Sequence, residues 1–236
     1  MESAPRAYRL KAGNAASPIS TFSGAIPEMT CEYVQYGCGL SAPDNWLNFD
    51  SSPTLRIQRI PVVGRVYIRN QVRFPRNVRY GDIVAGLPIP SESCKGVFCS
   101  HVLEHLALED CRVALKNTFS YLRPGGVFRL IVPDLEALVR TYISDNEPEA
   151  ALRFMEYSGL GRKNRARSLA GFVRDMFGNS AHLWMWDRRS IHVELERNGF
   201  TAIRQAKPGD APDLRFNEVE EESRFVDAVA IQCEKR

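Results

Sequence analysis

Tyr36-Gly37-Cys38-Gly39, followed by Trp46-Leu47-Asn48-Phe49-Asp50, decides the fold of this chain. A short apolar run (Tyr33, Val34, Tyr36) ends in a glycine turn, and a second run delivers a carboxylate, Asp50, eleven residues past Gly39. Glycine has no Cβ, so the backbone at the turn can lie against a ligand. A carboxylate at the end of the next strand can accept both hydrogen bonds of a ribose diol. Together they predict a nucleoside-containing cofactor at the carboxyl edge of an open sheet.

Outward from this stretch, strands and helices alternate. Gly96–Ser100 reads as a buried strand. A helix follows, with Glu109 and Asp110 in its first turn, where the helix dipole favours acids, and with Cys111, Ala114, Leu115, Phe119 and Leu122 on one face. Pro124-Gly125-Gly126 is expected to stop it. Val127–Val132 is a strand apolar enough to be buried on both faces. Further helices are predicted over Leu135–Ile143, Glu147–Tyr157, 168–177 and Arg188–Asn198, the last ended by Gly199. Val78–Ile83 is the third core strand or its edge. Ile60–Val63 and Val66–Ile68 read as short strands. Thr201–Gln205 and Val226–Cys233 close the pattern and can pair antiparallel. The fold class is therefore α/β, a doubly wound and mostly parallel sheet.

The 236 residues are 44% hydrophobic and 25% charged, which suits one large domain with a sizeable core. No apolar run reaches the roughly 18 residues that span a bilayer, and the first residues lack the layout of a secretion signal. Six cysteines are scattered without CxxC pairs, so neither zinc spacing nor a disulfide framework is expected. Reduced thiols in a cytoplasmic protein are expected instead. Net charge is only +3 but uneven. Residues 51–81 contain no acid and no lysine, yet carry Arg56, Arg59, Arg65, Arg69, Arg73, Arg76 and Arg79. Asp210–Glu222 is acidic. The expected organisation is an irregular arm over 1–30 and one domain over 31–236. That domain has an arginine-rich insertion at about 53–79 and a helical lid at about 145–187.

Seven segments, in order, carry a family resemblance: Gly37-Cys38-Gly39, Trp46–Pro53, Gly81-Asp82-Ile83 with Leu87–Pro90, Ser100-His101-Val102-Leu103-Glu104-His105-Leu106, Leu122–Val127, Val132–Glu136 and His182–Asp187. With them the chain resembles the class I S-adenosylmethionine-dependent methyltransferases, and among these the type 11 group. The resemblance implies a Rossmann-like seven-stranded sheet with an antiparallel last strand, and S-adenosyl-L-methionine as cofactor. Gly37 and Gly39, with Tyr36 and Cys38 beside them, would lie against the methionine part. Asp50, with Ser51, would take the ribose. Asp82 would accept from the adenine amino group with Ile83 against the ring, and Ser100 and His101 would border the reactive sulfur. His101 and His182 are the candidate catalytic bases. The acceptor is expected to be a small molecule or glycan, methylated on oxygen or nitrogen, with an anionic one suited to the arginines. A non-catalytic binding module and a nucleic-acid methyltransferase are the alternatives.

Several residues depart from the pattern. Gln35 stands where many relatives have an acid, and Ser41 replaces a third glycine. Only Leu40–Asn45 separate the turn from the second strand, so the first crossover helix must be very short or missing. Gly37-Cys38-Gly39-Leu40-Ser41-Ala42 also fits a dinucleotide fingerprint, but the helix and the distant acid that reading needs are lacking. His101-Val102-Leu103-Glu104-His105 has the H-x-x-E-H order of inverted zincins; the methyltransferase segments around it argue against a metal, and none is expected. Asp134 is either a ligand at the sheet edge or a helix N-cap.

Overall fold

A computed structural model of the protein describes residues 32–61, 73–163 and 181–236. Seven strands form one sheet: β1 (Tyr33–Tyr36), β2 (Leu47–Asp50), β3 (Val78–Tyr80), β4 (Cys94–Ser100), β5 (Leu122–Pro133), β6 (Phe200–Gln205) and β7 (Ala228–Lys235), in the order β3-β2-β1-β4-β5-β7-β6. β1 to β5 run parallel, and β7 is antiparallel to both β5 and β6. The helices are α1 (Pro53–Gln58), α2 (Leu108–Tyr121), α3 (Leu135–Ser144), α4 (Ala150–Tyr157) and α5 (Arg188–Arg197). The arm over 1–30, the Val66–Ile68 run and the helix expected at 168–177 lie outside the described residues.

Three local expectations are corrected. Residues 53–58 form a helix, because Ser52 caps it by accepting from the Thr54 amide at 3.2 Å and Pro53 is pre-set for its first turn. Ile60 belongs to the turn that follows, not to a strand. α2 ends at Tyr121 and β5 begins at Leu122, ahead of Pro124-Gly125-Gly126. Pro124 forces its predecessor into extended geometry, so the chain leaves the helix before the proline. β7 starts at Ala228 rather than Val226, after Asp227 takes a left-handed φ of 51°.

Alternate residues of each strand serve two different cores. On one face Val34, Tyr36, Phe49, Val97, Cys99, Phe128, Leu130 and Ile231 pack with Cys111, Ala114 and Leu115 of α2 and Ile191 and Leu195 of α5. On the other, Phe98, Ile131 and Ala230 pack with Trp46 and with Ala206, Ala211, Phe216 and Val219. The last four belong to residues 206–227, the connector from β6 to β7. No helix leads from β1 to β2; the acidic connector covers that part of the sheet instead.

Buried polar residues hold it there. Arg129 of β5 is 1% exposed. Its guanidinium donates to Glu220 Oε1 at 2.6 Å, Asp210 Oδ1 at 3.0 Å, Gln232 Oε1 at 2.7 Å and the Lys207 carbonyl at 3.1 Å. Arg204 adds a bond to Asp210 Oδ2 at 2.6 Å. The acids of the connector thus answer arginines of the sheet.

Candidate functional site

β1 runs into Gly37, where φ is +68° and an added Cβ would lie 2.2 Å from Val102 Cγ2. Any side chain there would clash in a backbone region that L-residues avoid. Gly39 also has positive φ (+55°), and a Cβ there would meet no atom within 4 Å. The turn is fastened to β2. The Cys38 amide donates to the Phe49 carbonyl at 3.1 Å, and Asp50 accepts from the Gly39 amide at 3.0 Å through Oδ2 and from the Ser52 amide at 2.7 Å through Oδ1. Asp50 therefore joins the turn to the start of α1. Each carboxylate oxygen keeps a further lone pair.

The side chains beside the glycines point elsewhere or are inert. Tyr36 is buried on the helical face, with its hydroxyl 3.2 Å from Thr118 Oγ1, so only its main chain borders the turn. Burial, then the Asp50 charge, pushes the Cys38 thiol up to about 12, which keeps it protonated and unreactive. Gln35 is spent on structure: its Nε2 donates to Asn48 Oδ1 at 2.5 Å and to the Ser41 carbonyl at 2.9 Å. Asp82, just past β3, accepts from the Val84 amide at 2.9 Å and is half-buried above buried Ile83. Ser51 is half-buried at the head of α1. Asp134 caps α3 by accepting from the Glu136 amide at 2.8 Å, the N-cap of the two alternatives.

Ser100 ends β4 with its Oγ buried and without a hydrogen-bond partner. It shares a cleft with Gln35–Cys38 and with Val219 and Arg224 of the connector. The enclosed space is about 10 Å³, room for one water. Sequence reasoning missed Val219 and Arg224, since a connector without periodicity gives no sign of where it folds. The available signal was polar residues on alternate strand positions (Gln35, Asn48, Arg129, Gln232), marking a face that no apolar helix covers.

His101 follows with a left-handed φ of 54°, rare for a residue with a side chain. Its Nε2 is 3.1 Å from the Arg224 carbonyl and its Nδ1 is 3.3 Å from Glu104 Oε1. The Glu104 contact raises its pKa against the opposing effect of burial, and the Arg224 carbonyl adds to the rise. Both ring nitrogens are occupied, so His101 clamps the connector to β4 and has no nitrogen free to take a proton in this conformation. His182 lies on another segment, its Nδ1 2.7 Å from the Ser158 carbonyl and its ring 4.9 Å from that of His105.

Part of the arginine-rich stretch is structural. Arg59 donates to the carbonyls of Pro75 at 2.8 Å and Val78 at 2.8 Å, and Arg56 lies over the Tyr80 ring at 4.7 Å. Arg65 and Arg69 lie outside the described residues. Cys38, Cys94, Cys99, Cys111 and Cys233 are all buried, and Cys38, Cys99, Cys111 and Cys233 are free thiols; no helix among the described residues is long and apolar enough to cross a membrane.

The profile of a family described as a methyltransferase domain matches residues 30–205. No curated protein sequence matches the chain. Solved structures resemble it at low identity. A SAM-dependent methyltransferase from Archaeoglobus fulgidus is 18% identical, with 89% of each chain covered and a TM-score of 0.45. The YcgJ protein from Bacillus subtilis is 14% identical over 86% of this chain and 91% of its own, with a TM-score of 0.44. Human N-acetylserotonin methyltransferase in complex with SAM is 14% identical over 86% of this chain and 47% of its own, with a TM-score of 0.40.

Proposed function

The chain belongs to the methyltransferase domain family, and we propose that it takes S-adenosyl-L-methionine as methyl donor and methylates an oxygen or nitrogen atom of a small-molecule or glycan-type acceptor. The observation that carries the site assignment is Asp50, held by the Gly39 and Ser52 amides at the carboxyl edge of the sheet. Two further features fit the cofactor: the orphaned Ser100 hydroxyl and the open space over Gly39.

In this reading Gly37 and Gly39 let the main chain of Tyr36–Gly39 lie along the methionine part, and Ser100 supplies it a hydrogen bond. Asp50 takes the ribose hydroxyls with its remaining lone pairs, beside Ser51. Asp82 and Ile83 border the adenine. When bound, the sulfonium makes the methyl group electrophilic, which is the cofactor's own chemistry. The chain's part is to orient the acceptor and to exclude water from the site. The connector contributes to that exclusion. With Val219 and Arg224 closing the cleft to the size of one water, it must draw back to admit the methionine part, and His101 holds it closed through the Arg224 carbonyl. Of the two candidate bases, His101 has no free ring nitrogen, while His182 keeps one with its lone pair.

The exposed Arg56, Arg73, Arg76 and Arg79, in a stretch without acids, favour an acceptor carrying anionic groups. The buried free thiols fit a reducing compartment, and we assign the protein to the cytoplasm. Radiolabelled methyl transfer screened against lysate fractions of small molecules, glycans, nucleic acids and proteins tests the proposal. Label in the first two supports it, and label confined to nucleic acid, with binding that falls steeply with salt, selects the arginine surface as a nucleic-acid site instead.

A further inference from the structure

Glu104 sits in a short 3-10 turn, Leu103–His105, just past β4. It is 0% exposed; His101 reaches its Oε1, and its Oε2 has no partner among the described residues. Among the described residues its one ion-pair neighbour is His101, at 3.3 Å. A buried carboxylate with a single long contact is costly unless a further cation or a proton compensates it.

Two imidazoles stand beside it. His105 Nδ1 is 3.0 Å from the Ala181 carbonyl, and His182 Nδ1 is 2.7 Å from the Ser158 carbonyl. A carbonyl can only accept, so Nδ1 carries the proton in both rings and Nε2 keeps its lone pair. That arrangement, one ring nitrogen tethered to a carbonyl and the other presenting a lone pair, is how metal-binding histidines are oriented. One ring nitrogen each of His105 and His182 and a carboxylate oxygen of Glu104 lie within 4.8 Å of one another.

The main chain assembles the cluster from three segments. The amides of Leu183 and Trp184 donate to the Glu104 carbonyl at 2.7 and 3.2 Å, and the His182 amide donates to the Gly159 carbonyl at 3.2 Å. Gly159 makes room for the ring: an added Cβ would lie 2.5 Å from His182 Nδ1. The H-x-x-E-H order brings Glu104 and His105 together, but His182 joins them only through the fold: 76 residues separate His105 from the Ala181 whose carbonyl orients it.

We propose that Glu104, His105 and His182 bind a first-row divalent cation. Two imidazole nitrogens and one carboxylate suit zinc and its borderline neighbours better than magnesium or calcium, which prefer oxygen. Ligands around one tetrahedral zinc stand about 3.3 Å apart, so the three close in by side-chain rotation. Three protein ligands leave at least one coordination position open. On the methyl-transfer reading above, an oxygen of the acceptor fills it. Binding of the metal itself does not depend on that reading.

The test uses the full chain, stripped with a chelator and titrated with Co²⁺ in the absence of any cofactor. One equivalent binding per chain, with a visible d–d absorption band that Zn²⁺ abolishes, is the expected result. His182→Ala and Glu104→Gln, each checked for folding by circular dichroism, are expected to weaken Co²⁺ binding at least tenfold, as loss of even an outer contact commonly does. No band with excess Co²⁺, or a band that folded His182→Ala leaves unchanged, overturns the proposal. Calorimetry with S-adenosylmethionine on metal-free protein is read separately, so failure of the metal site and failure of the cofactor site are distinguishable.

Discussion

Gln35 Nε2 stands 2.5 Å from Asn48 Oδ1, on residues paired directly across the β1–β2 ladder. The second proton of the Gln35 amide reaches the Ser41 carbonyl, and Asn48 Nδ2 donates to the carbonyls of Pro43 at 3.0 Å and Trp46 at 2.9 Å. Two side chains thereby satisfy three carbonyls of the crossover loop, backbone groups that a helix would otherwise satisfy within itself. Gln35 is thus the lock of the helix-free crossover, where an acid would have no donor to give.

Restoring an acid at this position is therefore expected to harm the protein. Gln35→Glu removes both donors and sets a carboxylate against Asn48 Oδ1. The expected loss is about 1–3 kcal/mol of stability, the cost of leaving buried acceptors unpaired. Urea unfolding measures it, and an unchanged midpoint would refute the lock.

Asp50→Ala is expected to weaken S-adenosylmethionine binding by about 1.5–3 kcal/mol, the range for hydrogen bonds to a charged group, or about 10- to 150-fold in Kd. Asp50→Asn is expected to fall between the two, because it keeps an acceptor for only one of the two amides. Calorimetry reads both, and wild-type affinity in Asp50→Ala would remove the ribose assignment.

Gly37 separates two causes of strain. Gly37→Ala is expected to destabilise both by its positive φ and by the 2.2 Å approach to Val102 Cγ2. Adding Val102→Ala relieves the second only. The double variant should recover part of the thermal stability lost by Gly37→Ala; full recovery would mean that φ carries no cost.

Arg129→Met leaves Glu220 and Asp210 facing each other without their shared cation. Breaking a buried ion pair from one side costs about 3–5 kcal/mol. Loss of the connector's packing on Trp46 is expected to accompany it, read as a shift in tryptophan emission, since Phe216 lies 5.5 Å from that indole.

The same network sets an acid limit. Burial pushes the Asp210 carboxyl up, but hydrogen bonds from Arg204, the Lys207 amide and Arg129 outweigh it and bring it down to about 2. A depressed carboxyl stabilises the fold above its unfolded value near 4 and loses that contribution as pH falls toward 2. Urea midpoints recorded between pH 5 and 2 should therefore fall, and Asp210→Asn should flatten that slope.

Much of this was legible in the sequence. The glycine turn, Asp50 at the end of β2, the apolar face of α2 and α5 ending before Gly199 all rest on local chemistry, and their positions agree to within a few residues. The missing crossover helix followed from six intervening residues alone. Arg129 was hidden inside an apolar run, because its partners Asp210 and Glu220 lie some 80 to 90 residues away. The acids of 210–222 stand out in the sequence as a charge run, but nothing local names the arginines they answer. His182 could not be placed beside Glu104 and His105, because a carbonyl tether from Ser158 or Ala181 leaves no mark on side-chain pattern.

The strand order β5-β7-β6 has a consequence for how the protein is made. During synthesis β6 emerges with no neighbour to pair with, and its place in the sheet waits for residues 228–235. Until they clear the ribosome, the connector has no second anchor and the face that Trp46 and Phe98 present stays open to water. The nascent chain therefore passes through an interval with an exposed apolar surface, and its last folding step joins segments far apart in sequence, a slow class of event. Ribosome-stalled chains ending before Ala228 should bind chaperones that released chains ignore.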